Sequence, residues 1–142
     1  MARSNTQGND IMAPSITSPE RMNAAFADAF NSRNLAHLLA LYEPDAVLRT
    51  SGEDRNLTGL DAIASALTQL LQAPGRMASR NHFCIIHGDL ALLRADWELT
   101  TDDGAVVASG SSAELVRRQG DGRWLYVIDH AVGAGLGRVD CP

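Results

Sequence analysis

The chain has 142 residues, of which 45% are hydrophobic and 20% charged, and its formal net charge is −5. That is room for one domain with one core, in the composition range of an ordinary globular protein. Nucleic acid is excluded as an expected partner, because phosphate binding needs a basic face and the 12 Lys and Arg residues are spread along the chain.

No apolar run approaches the ~18 residues that suggest a membrane-spanning helix, and the opening MARSNTQGNDIMAP lacks the apolar stretch of a secretory signal. The expected location is cytoplasmic, with Cys84 and Cys141 as free thiols in a reducing compartment.

In chain order, residues 1–16 are small and polar and read as a disordered tail, ahead of a single domain over 17–133. Thr17-Ser18-Pro19-Glu20 has the form of a capping box with proline in the first turn. Met22, Ala25, Phe26, Ala29 and Phe30 follow at helical spacing. Asn34 caps a second helix with Leu35, Leu38, Leu39 and Tyr42 on one face, and Pro44 is expected to end it. Ala46-Val47-Leu48 reads as a short strand. Thr58 and Asp61 bracket a third helix start, whose buried face is Ile63, Leu67, Leu70 and Leu71.

From about residue 77 the period changes to two. Strands are expected over 81–87, 90–101, 105–118 and 123–132, an antiparallel meander with three tight turns. Gly88-Asp89 suits a type II′ turn. Leu93, Ala95, Trp97 and Leu99 alternate with Arg94, Asp96, Glu98 and Thr100, so this strand has one buried face. In the last strand Trp124, Tyr126 and Ile128 oppose Leu125, Val127 and Asp129. Both faces are then apolar, and a homodimer through the sheet is the expected cover. The glycine-rich run 133–137 opens no helix, so it is no dinucleotide loop, and 134–142 reads as a flexible tail.

Helices first and a meander last, with YEPDAV at 42–47, TGLDAI at 58–63 and ELVRRQGDGRWLYVIDH at 114–130, resemble the nuclear transport factor 2-like superfamily, and within it the SnoaL-like and ketosteroid-isomerase-like branch. The resemblance covers about residues 20–133. It implies an α+β fold: three N-terminal helices packed on a curved, mainly antiparallel sheet, forming a cone with an internal cavity. The isomerases of this branch use an Asp base, a Tyr and a protonated Asp. The position resembling the base falls on Thr50, that resembling the Tyr on Phe26, and only the third acid has a counterpart, Glu114. Steroid isomerisation by that mechanism is not expected.

Asp129 is the foremost catalytic candidate, because a carboxylate entering an apolar row is desolvated and its pKa rises toward the acid–base range. Glu114 is the second. Ser112, Glu114 and Val116 share one face and Ala113 and Leu115 the other, so local alternation leaves Glu114 inside or outside, while the resemblance turns it in. His130 adjoins Asp129 but points to the opposite face, so a direct dyad would need a bulge. Phe26, Phe30, Tyr42, Thr50 and Trp97 are expected to line the cavity, with His82 near its mouth. The four histidines lack metal-ligand spacing, so neither a metal nor a cofactor is expected. The expected function is binding of a small, mainly apolar organic molecule with cofactor-independent acid–base chemistry of the isomerase, cyclase or dehydratase kind. The alternative is a non-catalytic ligand-binding or dimerisation module of the same fold.

Overall fold

The structure, a computed structural model, describes residues 13, 15–50 and 54–135. The expected tails, and Cys141, lie largely outside them. Ile16, at the end of the expected N-terminal tail, packs against the core, and its carbonyl accepts from the Trp124 amide at 2.7 Å.

A 3₁₀ turn, Pro19–Arg21, leads into helix α1, Met22–Asn31. The Thr17 and Glu20 box is not made. Proline forces the residue before it into an extended conformation, so Ser18 becomes the cap at φ −126° without a side-chain bond. Helix α2, Leu35–Leu39, is capped as its sequence suggests: Asn34 Oδ1 accepts from the His37 amide at 3.0 Å. It ends before Pro44, and Tyr42-Glu43-Pro44 instead opens strand β1, Tyr42–Arg49. A two-residue strand β2, Leu57–Thr58, precedes α3, Leu60–Leu70, which Gly59 enters at φ 89°. That left-handed backbone favours glycine.

The meander comprises β3 (Arg76–His87), β4 (Leu90–Thr100), β5 (Val106–Ser111), β6 (Ala113–Arg118) and β7 (Trp124–His130). The expected third strand is thus interrupted at Ser112, whose amide still donates to the Ala95 carbonyl at 2.8 Å. The sheet order is β2-β1-β7-β6-β4-β3, with β5 also on β4. Among the described residues only β1 and β7 pair in parallel. Gly88 sits at φ 60° between the paired His87 and Leu90, and Asp89 is not at positive φ, which fits the expected type II′ turn. Met22, Leu38, Ile63 and Leu67 of the helices pack on Leu93, Val116 and Tyr126 of the inner sheet face.

Two irregularities reassign side chains. On β7, Glu114 pairs with Asp129, Leu115 with Ile128, and Val116 with Tyr126. One extra residue therefore sits between Tyr126 and Ile128, a β-bulge that flips the phase of the remaining residues of the strand. Tyr126 and Asp129 share the inner face, while Ile128 turns outward and is 44% exposed. The expected grouping of Asp129 with Leu125 and Val127 is corrected by this bulge. On β3, Asn81 pairs with Ala95 and Phe83 with Arg94, which leaves His82 as the extra residue.

Candidate functional site

A cavity of about 710 Å³ opens between α1, α3 and the inner sheet face. Its walls include Phe26, Leu48, Leu67, Leu70, Met77 and Trp97. Arg55, Ser65 and Gln69 are exposed and mark the mouth, with Thr50 also in the lining. Asn23, Ser112, Glu114, Tyr126 and Asp129 are buried and form the deep end.

The two carboxylates are direct cross-strand partners on the inner face of β6 and β7. Side chains so placed have Cβ atoms ~5 Å apart. Glu114 is 4% and Asp129 7% exposed, and among the described residues no cation pairs with either in an ion pair. Neutral donors hold them instead. Tyr42 Oη donates to Asp129 Oδ2 at 2.5 Å. Asn23 Nδ2 donates to Glu114 Oε1 at 3.2 Å, and Tyr126 Oη donates to Asn23 Oδ1 at 2.6 Å.

Burial without a counter-ion disfavours ionisation. Burial pushes the Glu114 carboxyl up to about 8, and the nearby Asp129 charge adds to it, against bonds from Ser112 and Asn23. Burial lifts Asp129 to about 6, opposed by the Tyr42 hydroxyl. Burial and the Asp129 charge also hold the Tyr42 and Tyr126 phenols well above their ordinary value. Two carboxyls this close titrate as a pair. Near neutral pH the pair holds one proton and one charge, and the Tyr42 hydroxyl, donating to Asp129, favours the charge there and the proton on Glu114.

Of the residues expected around the cavity, Phe26, Thr50, Trp97, Glu114 and Asp129 line it, whereas Phe30, Tyr42 and His82 do not. Phe30 turns one helical step away and packs with Met77 and Leu99, under the Arg33 guanidinium 4.2 Å from its ring centre. Tyr42 stands behind Asp129 and reaches the site only through its hydroxyl. The bulge at His82 leaves its ring exposed, 2.7 Å from Asp96 Oδ2. His130 stays on the face opposite Asp129. The sequence places Ser112 on the face of Glu114 without a role, and it signals Asn23 only as a polar residue on the α1 stripe three positions before Phe26. Among the described residues no three His, Cys, Asp or Glu side chains could hold a metal, and no helix is long and apolar enough to cross a membrane.

The Trp97 wall is fixed from two sides. Its Nε1 donates to the Ala131 carbonyl at 2.7 Å. Across the ladder lies Gly110, where a Cβ atom would stand 2.9 Å from the indole. A tethered ring cannot retreat, so Gly110→Ala is expected to cost about 1–3 kcal/mol through overpacking. Urea denaturation of the two proteins measures this, and an unchanged midpoint would contradict the contact.

A model of the SnoaL-like domain matches residues 23–127. The chain belongs to the SnoaL-like domain family. A search of curated proteins returns no match. Among solved structures, this SnoaL-like domain is similar to a putative calcium/calmodulin-dependent protein kinase type II association domain from Thiobacillus denitrificans, at 25% identity and TM-score 0.72 over 84% of this chain and 97% of that one. It is also similar to a ketosteroid isomerase-like protein from Erwinia carotovora atroseptica, at 24% identity and TM-score 0.63 over 78% and 89%. A protein from Catenulispora acidiphila in complex with S-DNPA matches at 21% identity and TM-score 0.61, over 77% and 85%. The α+β cone is thus common to proteins with differently described roles, and function has to be argued from the site.

Proposed function

We propose that this SnoaL-like domain binds a small, mainly apolar organic molecule and moves a proton on it without a cofactor. The observation that carries the reading is the buried Glu114–Asp129 pair at the deep end of an apolar cavity. In this reading the Asp129 carboxylate takes a proton from the carbon next to a ligand carbonyl. The Glu114 hydroxyl donates to the carbonyl oxygen as negative charge builds there, and Asp129 then returns the proton to the same or a neighbouring carbon. One positioned donor at a developing oxyanion contributes on the order of 10²–10³ in rate.

The test is α-hydrogen exchange of a panel of aryl and cyclic ketones in D₂O, followed by NMR. Exchange faster than in buffer, and lost when Ala66→Phe fills the cavity, supports the reading. Exchange at the buffer rate across the panel overturns it.

We also propose that the outer sheet face packs on a second copy of the chain. Ile85, Leu92, Leu115 and Ile128 fall in one cross-strand row, and Ile85 and Leu92 are 57% and 46% exposed. Arg94 and Asp96 on the same face allow a self-complementary two-fold contact. Sedimentation velocity at micromolar concentration should show a dimer that Leu92→Arg converts to monomer. A monomeric parent protein would refute this.

A further inference from the structure

A neutral carboxyl can serve a ligand as donor only if its proton lies on the oxygen that the ligand meets. The Glu114 proton can sit on either oxygen, and its surroundings decide between them. Asn23 touches Glu114 Oε1, and an amide can present either an oxygen or an NH₂ group. If Asn23 presented its oxygen, the Glu114 proton would point into the protein.

The partners of the two amides show which end faces where. Tyr126 Oη is 2.6 Å from the Asn23 atom it meets. That length suits O–H···O and agrees with the Asn23 oxygen facing Tyr126. The other Asn23 atom is 3.2 Å from Glu114 Oε1, which suits N–H···O and is long for a carboxylic O–H···O. The third contact is an anchor. Asn81 Nδ2 lies 2.7 Å from the Glu20 carbonyl, and a backbone carbonyl can only accept. The Asn81 NH₂ therefore faces Glu20, and its oxygen faces Asn23 Nδ2 at 3.5 Å. One hydrogen of Asn23 Nδ2 then goes to Glu114, and the other points at the Asn81 oxygen across a longer, weaker contact.

We propose that Asn23, oriented by Asn81 and Tyr126, is a positioning residue that makes Glu114 Oε1 an acceptor and so directs the carboxyl proton to Oε2. Direction passes from the Glu20 carbonyl through Asn81 and Asn23 to Glu114. The Ser112 hydroxyl also bonds to Glu114, and it is shared with both backbone groups of Ala95 at 3.2 Å. The ligand class comes from this arrangement: a molecule with a hydrogen-bond acceptor, such as a ketone or ester oxygen, directed at Glu114. The inference deepens the proton-transfer reading and rests on it for the ligand, while the orientation of Asn23 stands on the protein alone.

The test uses the intact chain and two readouts. Acetophenone with a ¹³C-labelled carbonyl is bound to the parent protein and to Asn81→Ala, and its carbonyl stretch is measured by difference infrared spectroscopy. The Glu114 side-chain carboxyl is followed by ¹³C NMR against pH in the same proteins and in Asn23→Ala. The titratable groups facing Glu114 are Asp129, Tyr42 and Tyr126, with Arg55 at the cavity mouth. Asp129 is followed in the same titration.

The expected results are a carbonyl band shifted down in the parent, a smaller shift in Asn81→Ala, and a Glu114 midpoint that rises in both variants because a donor to its ionised form is loosened or lost. Asn81 is exposed, so its variant keeps the fold, which the melting temperature verifies. An unmoved Glu114 midpoint in both folded variants overturns the relay, whether or not the ketone binds. Failure of the parent to shift the ketone band, with the midpoints moving as expected, overturns the ligand reading alone and leaves the relay standing.

Discussion

At pH 8, Glu114→Gln is expected to stabilise the folded protein by about 3–5 kcal/mol. The Glu114 carboxyl ionises near its ordinary value of 4.5 when unfolded and at about 8 in the fold. Each pH unit of that difference is worth about 1.4 kcal/mol. Between these values the native state holds a proton that the unfolded chain has released, so stability is complete below pH 4.5 and falls as pH rises toward 8. Asp129 adds a similar decline between its ordinary value of 3.8 and about 6. The amide in Glu114→Gln has no charge to bury, and its oxygen can still accept from Asn23. Urea denaturation from pH 5 to pH 9 should show the parent losing stability across the range. In the variant the decline between about pH 6 and 8 should be absent, with only the Asp129 part below pH 6 remaining. Parallel curves for the two proteins would mean that Glu114 is ionised in the fold at neutral pH.

The second large effect concerns rate. Asp129→Asn removes the base yet leaves an oxygen to accept the Tyr42 hydroxyl, so the variant should fold and keep its cavity. Ketone exchange should drop by about 10²–10⁴-fold, the usual contribution of a positioned general base. The pH profile of the parent should rise through the Asp129 midpoint near 6 and fall as Glu114 loses its proton near 8. With both carboxyls ionised the donor is gone, and the base loses the partner that stabilises charge on the ligand. Exchange at the parental rate in folded Asp129→Asn would remove this residue from the chemistry.

Most of the architecture was legible because it depends on local rules. Phe26, Ile63 and Leu67 recur at helical spacing, Asn34 offers a cap, and Gly88 offers positive φ for a tight turn. These signals act within a few residues and survive without knowledge of neighbours. Asp129 stood out for a related reason, since a carboxylate among apolar residues is costly wherever the chain folds, whereas Glu114 was turned inward only by the family resemblance. Errors arose where one extra residue changed a strand's phase. Strict alternation put Asp129 beside Leu125 and Val127, and the place of His82 early in its strand put it near the cavity mouth. The bulge at β7 moved the first beside Tyr126, and His82, next to Asn81 that pairs with inner-face Ala95, faces outward beside Asp96. A bulge is set by what the neighbouring strand requires, and a single strand's sequence does not display it.

By itself, then, the sequence determined a helix-then-meander domain and two carboxylates whose burial would be expensive. Only the tertiary structure decided that these two lie opposite each other on adjacent strands. It also decided that Tyr42 stands behind one and Asn23 beside the other, residues 87 and 91 positions away along the chain. The physical reason is range. Helical stripes, caps and turns are decided by neighbours in sequence, whereas the charge and proton of a buried carboxyl are decided by whatever the fold brings within hydrogen-bond distance.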